Sequence, residues 1–204
     1  TVATSGSYAD LTNKPTTDGS ETKVTSGTEI EVTGTGIASN PYVINSKKAH
    51  YIGEFYGGGI VFYVYDNGQH GLIAATSDQT TMGIQWHNGN NITTNAVRNG
   101  INAGKFNTER IILVQGKGSY PAHLCANYYG GNYGDWYLPS SYELNLLFLQ
   151  KDLTGGFADD GYWSSNEDGF KYYPTYAEGV DFRTGVLFVL PKDDSYRVRA
   201  IRAF

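Results

Sequence analysis

A break in composition near residue 47 constrains this chain more than any other feature. Residues 1–46 are rich in Thr, Ser, Gly and Asn and hold few large apolar side chains. Such an arm cannot bury enough apolar surface to offset the entropy it loses on folding. Its β-prone stretches, 29–32 and 42–44, are short and lie between turn residues. From Ala49 onward aromatic and branched residues become dense, and 204 residues are ample for one real core. The expected division is a β-rich shaft or linker at 1–48 and a folded domain at 49–204.

The folded part is expected to be rich in strands and loops, because 26 Gly, 17 Tyr and 9 Phe stand against only 6 Pro and 17% charged residues. A net charge of -5 gives no electrostatic footprint for nucleic acid or anionic lipid. It also weighs against a heavily sulfated polymer unless a local basic patch exists. Cys125 stands alone, which excludes an intrachain disulfide and a Cys-rich zinc site, and reads as a small buried hydrophobe. No run of about 18 apolar residues predicts a membrane-spanning helix, so no membrane insertion is expected. The polar opening at residues 1–7, without an initiator Met, reads as a piece of a longer chain and not as a signal peptide.

Asp66-Asn67-Gly68 between two apolar runs predicts a hairpin with strands at 60–65 and 71–75, joined by a two-residue Asn-Gly turn or by a longer loop. Gly57-Gly58-Gly59 lacks the Lys-Ser/Thr of a phosphate-cradling loop and reads as a strand entry or bulge. A helix is predicted at 141–153, where Ser140 and Glu143 have capping-box spacing and Leu144, Leu147 and Phe148 share a face. Weaker helical patterns occupy 94–103, 108–115 and 121–126, the last turning Cys125 inward. Strands follow at 162–165, 177–182, 186–190 and 197–203. Strands, then helices, then strands describe an α+β domain with an antiparallel sheet.

Catalytic patterns are absent. His50, His70, His87 and His123 are scattered, Ser164-Ser165 has no sequence-indicated base, and no Gly-x-Ser-x-Gly occurs. No enzyme activity and no cofactor are expected. Asp159, Asp160, Glu167 and Asp168 offer a minority calcium alternative, though the regular Asp-x-Asp-x-Asp-Gly loop is missing and solvated turn carboxylates suit them better.

Residues 166–196 mix aromatic and charged side chains without the alternation of a half-buried strand, which suits a surface that grips a partner. The candidate ligand-binding residues are Asn166, Asp168, Phe170, Lys171, Tyr172, Tyr173, Thr175, Tyr176, Glu178, Arg183, Leu187, Phe188, Leu190, Asp193, Asp194 and Tyr196. Trp136, Trp163, Phe182, Gly185 and residues 198–204 would form the frame around them, with Tyr137 and Tyr142 as packing residues. Tyr rings offer large contact area for little lost entropy, whether the ligand is a glycan or a protein.

IGEFYGGGIVFYV, QHGLIAATSDQ, GIQWHNG, AHLCANYYGGNYGDWYLPSSYEL, GYWSSNE and RVRAIRAF, in that order, resemble the C-type-lectin-like domain of fibrous bacterial adhesins and phage tail-fibre tips, a family that includes variable proteins of diversity-generating retroelements. The likeness spans about residues 50–204, and TVATSGSYADLTNKPT resembles a recurrent tail-fibre segment. It implies a lectin-like fold and a homotrimeric virion fibre whose tip recognises a bacterial surface glycan or outer-membrane protein. It also implies diversification within 166–196 at positions reached from Asn codons by adenine changes. Lys171 and Glu178 depart from that pattern. The alternative is a bacterial surface or secreted adhesin with a lectin-like head.

Overall fold

The computed structural model describes residues 23–27, 30–46, 48–168 and 175–204, and the chain divides into two units, Thr1–Lys48 and Ala49–Phe204. In the first, Ile30–Thr33 (β1) pairs antiparallel with Val43–Ser46 (β2), setting Val32 opposite Ile44. Ile30, Val43 and Ile44 are exposed. The expected strand at 29–32 is thus shifted by one residue, and Glu29 lies outside the described residues.

Among its described residues the second unit is a mixed α+β domain with four α-helices and small antiparallel sheets. Phe55–Tyr56 (β3), Gly59–Tyr65 (β4), His70–Ala74 (β5) and Ile201–Ala203 (β11) form one sheet in the order β11-β5-β4-β3. Its central hairpin turns at Asp66, Asn67 and Gly68, all with positive φ, a conformation that Asn, Asp and Gly tolerate best. The loop runs from Tyr65 to His70. Ile84–Gln85 (β6) pairs with Ser195–Tyr196 (β10).

Helices Ala103–Gln115 (α1), Pro121–Asn127 (α2), Ser141–Leu149 (α3) and Lys151–Thr154 (α4) connect these strands to the last sheet. That sheet is Gly161–Glu167 (β7), Tyr176–Asp181 (β8) and Leu187–Pro191 (β9), with β8 central. Helix α3 carries the expected capping box. The predicted 141–153 helix breaks at Gln150 (φ -113, ψ 16), so it becomes two pieces. Residues 197–200 leave regular pairing, although Ala75 and Gln79 N–H donate to the Ala200 and Val198 carbonyls.

Residues 94–102 form no helix: Asn95 and Asn102 take positive φ, and the Thr94 and Asn95 N–H groups bond the Glu167 carboxylate instead of helical carbonyls. Tyr142 is no core residue; it stands exposed on α3, whereas Tyr137 is buried. The core joins Trp86, Trp136, Trp163, Ile111, Val198 and Cys125 in one cluster and Phe62, Tyr162, Phe182, Leu144 and Leu147 in a second. No helix among the described residues is long and apolar enough to cross a membrane.

Candidate functional site

Strand β7 is buried along its whole length, although it contains Ser164, Ser165, Asn166 and Glu167. The reason is a bulge. Trp163 faces Gly179 and Glu167 faces Ala177, so three residues of β7 oppose Glu178 alone. The extra length turns the polar side chains into the domain. Asn166 Oδ1 accepts from the Ser141 N–H at 2.9 Å, and its amide donates to the Arg98 carbonyl at 3.0 Å. Ser165 Oγ accepts from Asn107 at 3.2 Å. Ser141 Oγ bonds the Glu178 carboxylate and Ser164 Oγ.

On the other face of this sheet, glycines make room for aromatic rings. A Cβ at Gly179 would stand 2.3 Å from the Phe188 ring, and one at Gly161 would stand 2.5 Å from the Tyr196 ring. Phe188 and Tyr196 pack together with centroids 4.7 Å apart, and both meet the Trp163 edge or face, at 5.8 and 4.8 Å. Each ring is therefore seated on backbone and indole while part of it stays accessible, since both residues are half-buried. Rings held this way lose little further entropy when a ligand packs on them.

These two rings border a cleft of about 260 Å³ that is also lined by Asp160, Asp181, Arg183, Val186 and Leu190. Arg183 donates to Asp181 through Nε at 3.1 Å and Nη2 at 2.7 Å. Arg197 Nε donates to Asp160 at 3.2 Å. Burial, then the charges of Asp194, Asp160 and Asp181, raise the Tyr196 phenol above its ordinary value, so its hydroxyl remains a donor at physiological pH. The hydrogen bonds from Arg183 hold the Asp181 carboxyl down to about 2, against an ordinary 3.8. Asp181 is thus expected to titrate near 2 when followed by its carboxyl carbon resonance, and Arg183→Gln to return the midpoint toward 3.8. Because the folded value is depressed, the stabilisation it brings is present above 3.8 and is lost as pH falls through 2.

The structure brings Arg183, Phe188, Leu190 and Tyr196 of the predicted set into this cleft. Leu187 is exposed on β9 beside it, and Thr175 is exposed, while Tyr176, Glu178 and Asp194 are half-buried. Asp193 is exposed and accepts from His87 Nε2 at 2.7 Å. Asn166 and Asp168 are buried, and Asn166 is committed to the frame, so neither presents a surface to a partner. Phe170, Lys171, Tyr172 and Tyr173 lie outside the described residues. Sequence reasoning missed Asp181 and Val186 as lining residues and considered Asp160 only for calcium. Asp181-Phe-Arg183 in a turn after a strand was the available signal.

The residues flanking 169–174 are fixed by a buried ion pair. Lys192 Nζ meets the Glu167 carboxylate, also donates to the Ile92 carbonyl at 3.2 Å, and lies 4.8 Å from the Trp86 ring centroid. The Lys192 N–H donates to the Thr175 carbonyl at 2.8 Å. This commits Glu167 and separates it in role from Asp160, which serves Arg197. No group of three or more His, Cys, Asp or Glu able to hold a metal occurs among the described residues. No protein-family model matches the chain, and no curated protein matches it.

Proposed function

We propose that residues 49–204 form a C-type-lectin-like receptor-binding head, the tip of a phage tail fibre. It recognises a bacterial surface glycan or outer-membrane protein through the cleft bordered by Phe188 and Tyr196. The observation that carries this reading is the seating of those rings on Gly161, Gly179 and Trp163, which leaves pre-ordered aromatic surface beside Asp160, Asp181 and Arg183. Rings pack on the apolar faces of sugars or on apolar anchors, and the flanking carboxylates and guanidinium supply directed hydrogen bonds. No catalysis or cofactor enters this reading.

A homotrimer fits the β1–β2 hairpin of the first unit, whose Ile30, Val43 and Ile44 are exposed. A lone two-stranded hairpin is marginal in water. Three heads on one shaft would add avidity to modest single-site affinity.

The test is binding of the full chain to intact cells of a bacterial panel, beside Arg183→Gln and Tyr196→Phe. Arg183 is exposed and Tyr196→Phe keeps the ring, so both variants should stay folded. Strain-selective binding that weakens about tenfold or more in each variant is expected, the size of an ordinary hot-spot loss. Equal binding by all three forms would exclude the cleft, and binding to no strain would exclude the tip. The mass of the same sample in solution decides the trimer.

A further inference from the structure

Four of the six arginines in this chain are engaged by aspartates: Arg183 by Asp181, Arg197 by Asp160 and Asp78, Arg199 by Asp78, and Arg202 by Asp135. The remaining two, Arg98 and Arg110, line one groove of about 370 Å³ together with Asn95, Phe106, Glu109 and Leu113. That groove lies on the solvent side of α1 and the segment leading into it, and shares no residue with the β9 cleft.

Among the described residues, each of these guanidiniums is held by one contact, and its terminal nitrogens meet no protein acceptor. The Arg98 guanidinium rests 4.6 Å from the Phe106 ring centroid. Arg110 Nε donates to the Thr94 carbonyl at 2.8 Å. Thr94 is itself buried and fastened through its N–H to the Glu167 carboxylate, so the anchor of Arg110 is a fixed one. Neither guanidinium has a carboxylate partner among the described residues, and Glu109 lines the groove without pairing to either. Two cations against one carboxylate leave one net positive charge, in a chain whose formal charge is -5. This is the local basic patch that the overall charge would otherwise hide.

We propose that this groove binds a sugar residue carrying a single carboxylate. Guanidinium forks match a carboxylate in two parallel hydrogen bonds. A second negative charge on the same ligand would meet Glu109, which disfavours a phosphate dianion. Asn95 and Glu109 supply one amide and one acceptor for ring hydroxyls, and the exposed apolar surface of Phe106 and Leu113 suits the apolar face of a pyranose ring.

The experiment is a titration of the full chain, followed by isothermal calorimetry or amide resonances, with methyl glucuronoside, methyl glucoside, inorganic phosphate and N-acetyl-aspartate amide. The variants are Arg98→Gln and Arg110→Gln, both at exposed positions. Methyl glucuronoside should bind about tenfold or more tightly than the other three probes, each variant should weaken it about tenfold, and added salt should weaken it further. The proposal falls if the glucoside binds as well, if phosphate or the capped aspartate matches the glucuronoside, if neither variant changes the affinity, or if no probe binds. Cell binding through the β9 cleft should be unchanged in both variants, so failure of one site and failure of the other give different results.

Discussion

Lys192→Met should lower the unfolding midpoint of the 49–204 unit by roughly 6–20 °C, the shift expected in a domain of this size from a loss of 3–5 kcal/mol. Lys192 is fully buried and Glu167 nearly so. Removing the ammonium leaves a carboxylate that still accepts from Thr94 N–H at 2.9 and 3.0 Å, from Thr94 Oγ1 at 3.2 Å and from Asn95 N–H. Those neutral donors do not replace a full charge at that depth. Met preserves most of the side-chain volume against Trp86, so lost packing contributes little to the effect. Adding Glu167→Gln to Lys192→Met removes the stranded charge while keeping one acceptor for Thr94, and should recover at least about 1 kcal/mol. Trp86, Trp136 and Trp163 all lie in this unit, so tryptophan fluorescence during urea unfolding follows it directly. A double variant no more stable than Lys192→Met would mean that the ion pair is not what this site contributes.

The same pair illustrates which parts of the fold were legible in sequence. Local signals transferred well: Asp66-Asn67-Gly68 specified a turn through the φ values that those residues tolerate, and Ser140 with Glu143 marked the start of α3. Signals that depend on distant partners did not transfer. Thr94–Asn95 carries a helix-like pattern, yet its N–H groups are taken by Glu167, more than seventy residues away. Asn166 looked like part of a variable surface because composition does not reveal a β-bulge that turns it inward. Phe188 and Tyr196 were recognised as aromatic candidates. Their seating on Gly161 and Gly179 was not, since it arises only when β7, β8 and β9 are in register. Asp181 falls inside the expected 177–182 strand, and nothing local in the sequence shows that Arg183 folds back onto it two residues later.

Glu143→Ala is expected to destabilise the domain by about 3–5 kcal/mol, because this side chain does far more than cap its own helix. Its carboxylate accepts from the Ser140 N–H at 2.8 Å, the Asn102 N–H at 2.7 Å, the Gly104 N–H at 3.1 Å and the Tyr137 hydroxyl at 3.0 Å. It therefore joins the first turn of α1 to the first turn of α3, with Glu143 and Ser140 themselves fully buried. Each donor left without an acceptor costs about 1–3 kcal/mol, less than additively where water can enter the vacated space. Position 104 has no room for a side chain in this junction, since a Cβ there would stand 2.6 Å from the Glu143 oxygen and 2.5 Å from the Leu138 carbonyl. Burial pushes the Glu143 carboxyl above its ordinary 4.5, against the hydrogen bonds that pull it down. A raised folded value means that its contribution is complete below 4.5 and declines as pH rises through the folded value. The stability difference between wild type and Glu143→Gln, whose amide does not titrate, should accordingly be larger at pH 4 than at pH 7. Denaturant unfolding at both pH values measures this. A difference that grows with pH would show that the four hydrogen bonds outweigh burial and that the carboxylate is held ionised. Because α1 carries the Arg98–Arg110 groove and α3 packs against β8 beneath the aromatic cleft, loosening this junction should weaken both surfaces together, whereas Arg98→Gln or Arg183→Gln affects only one.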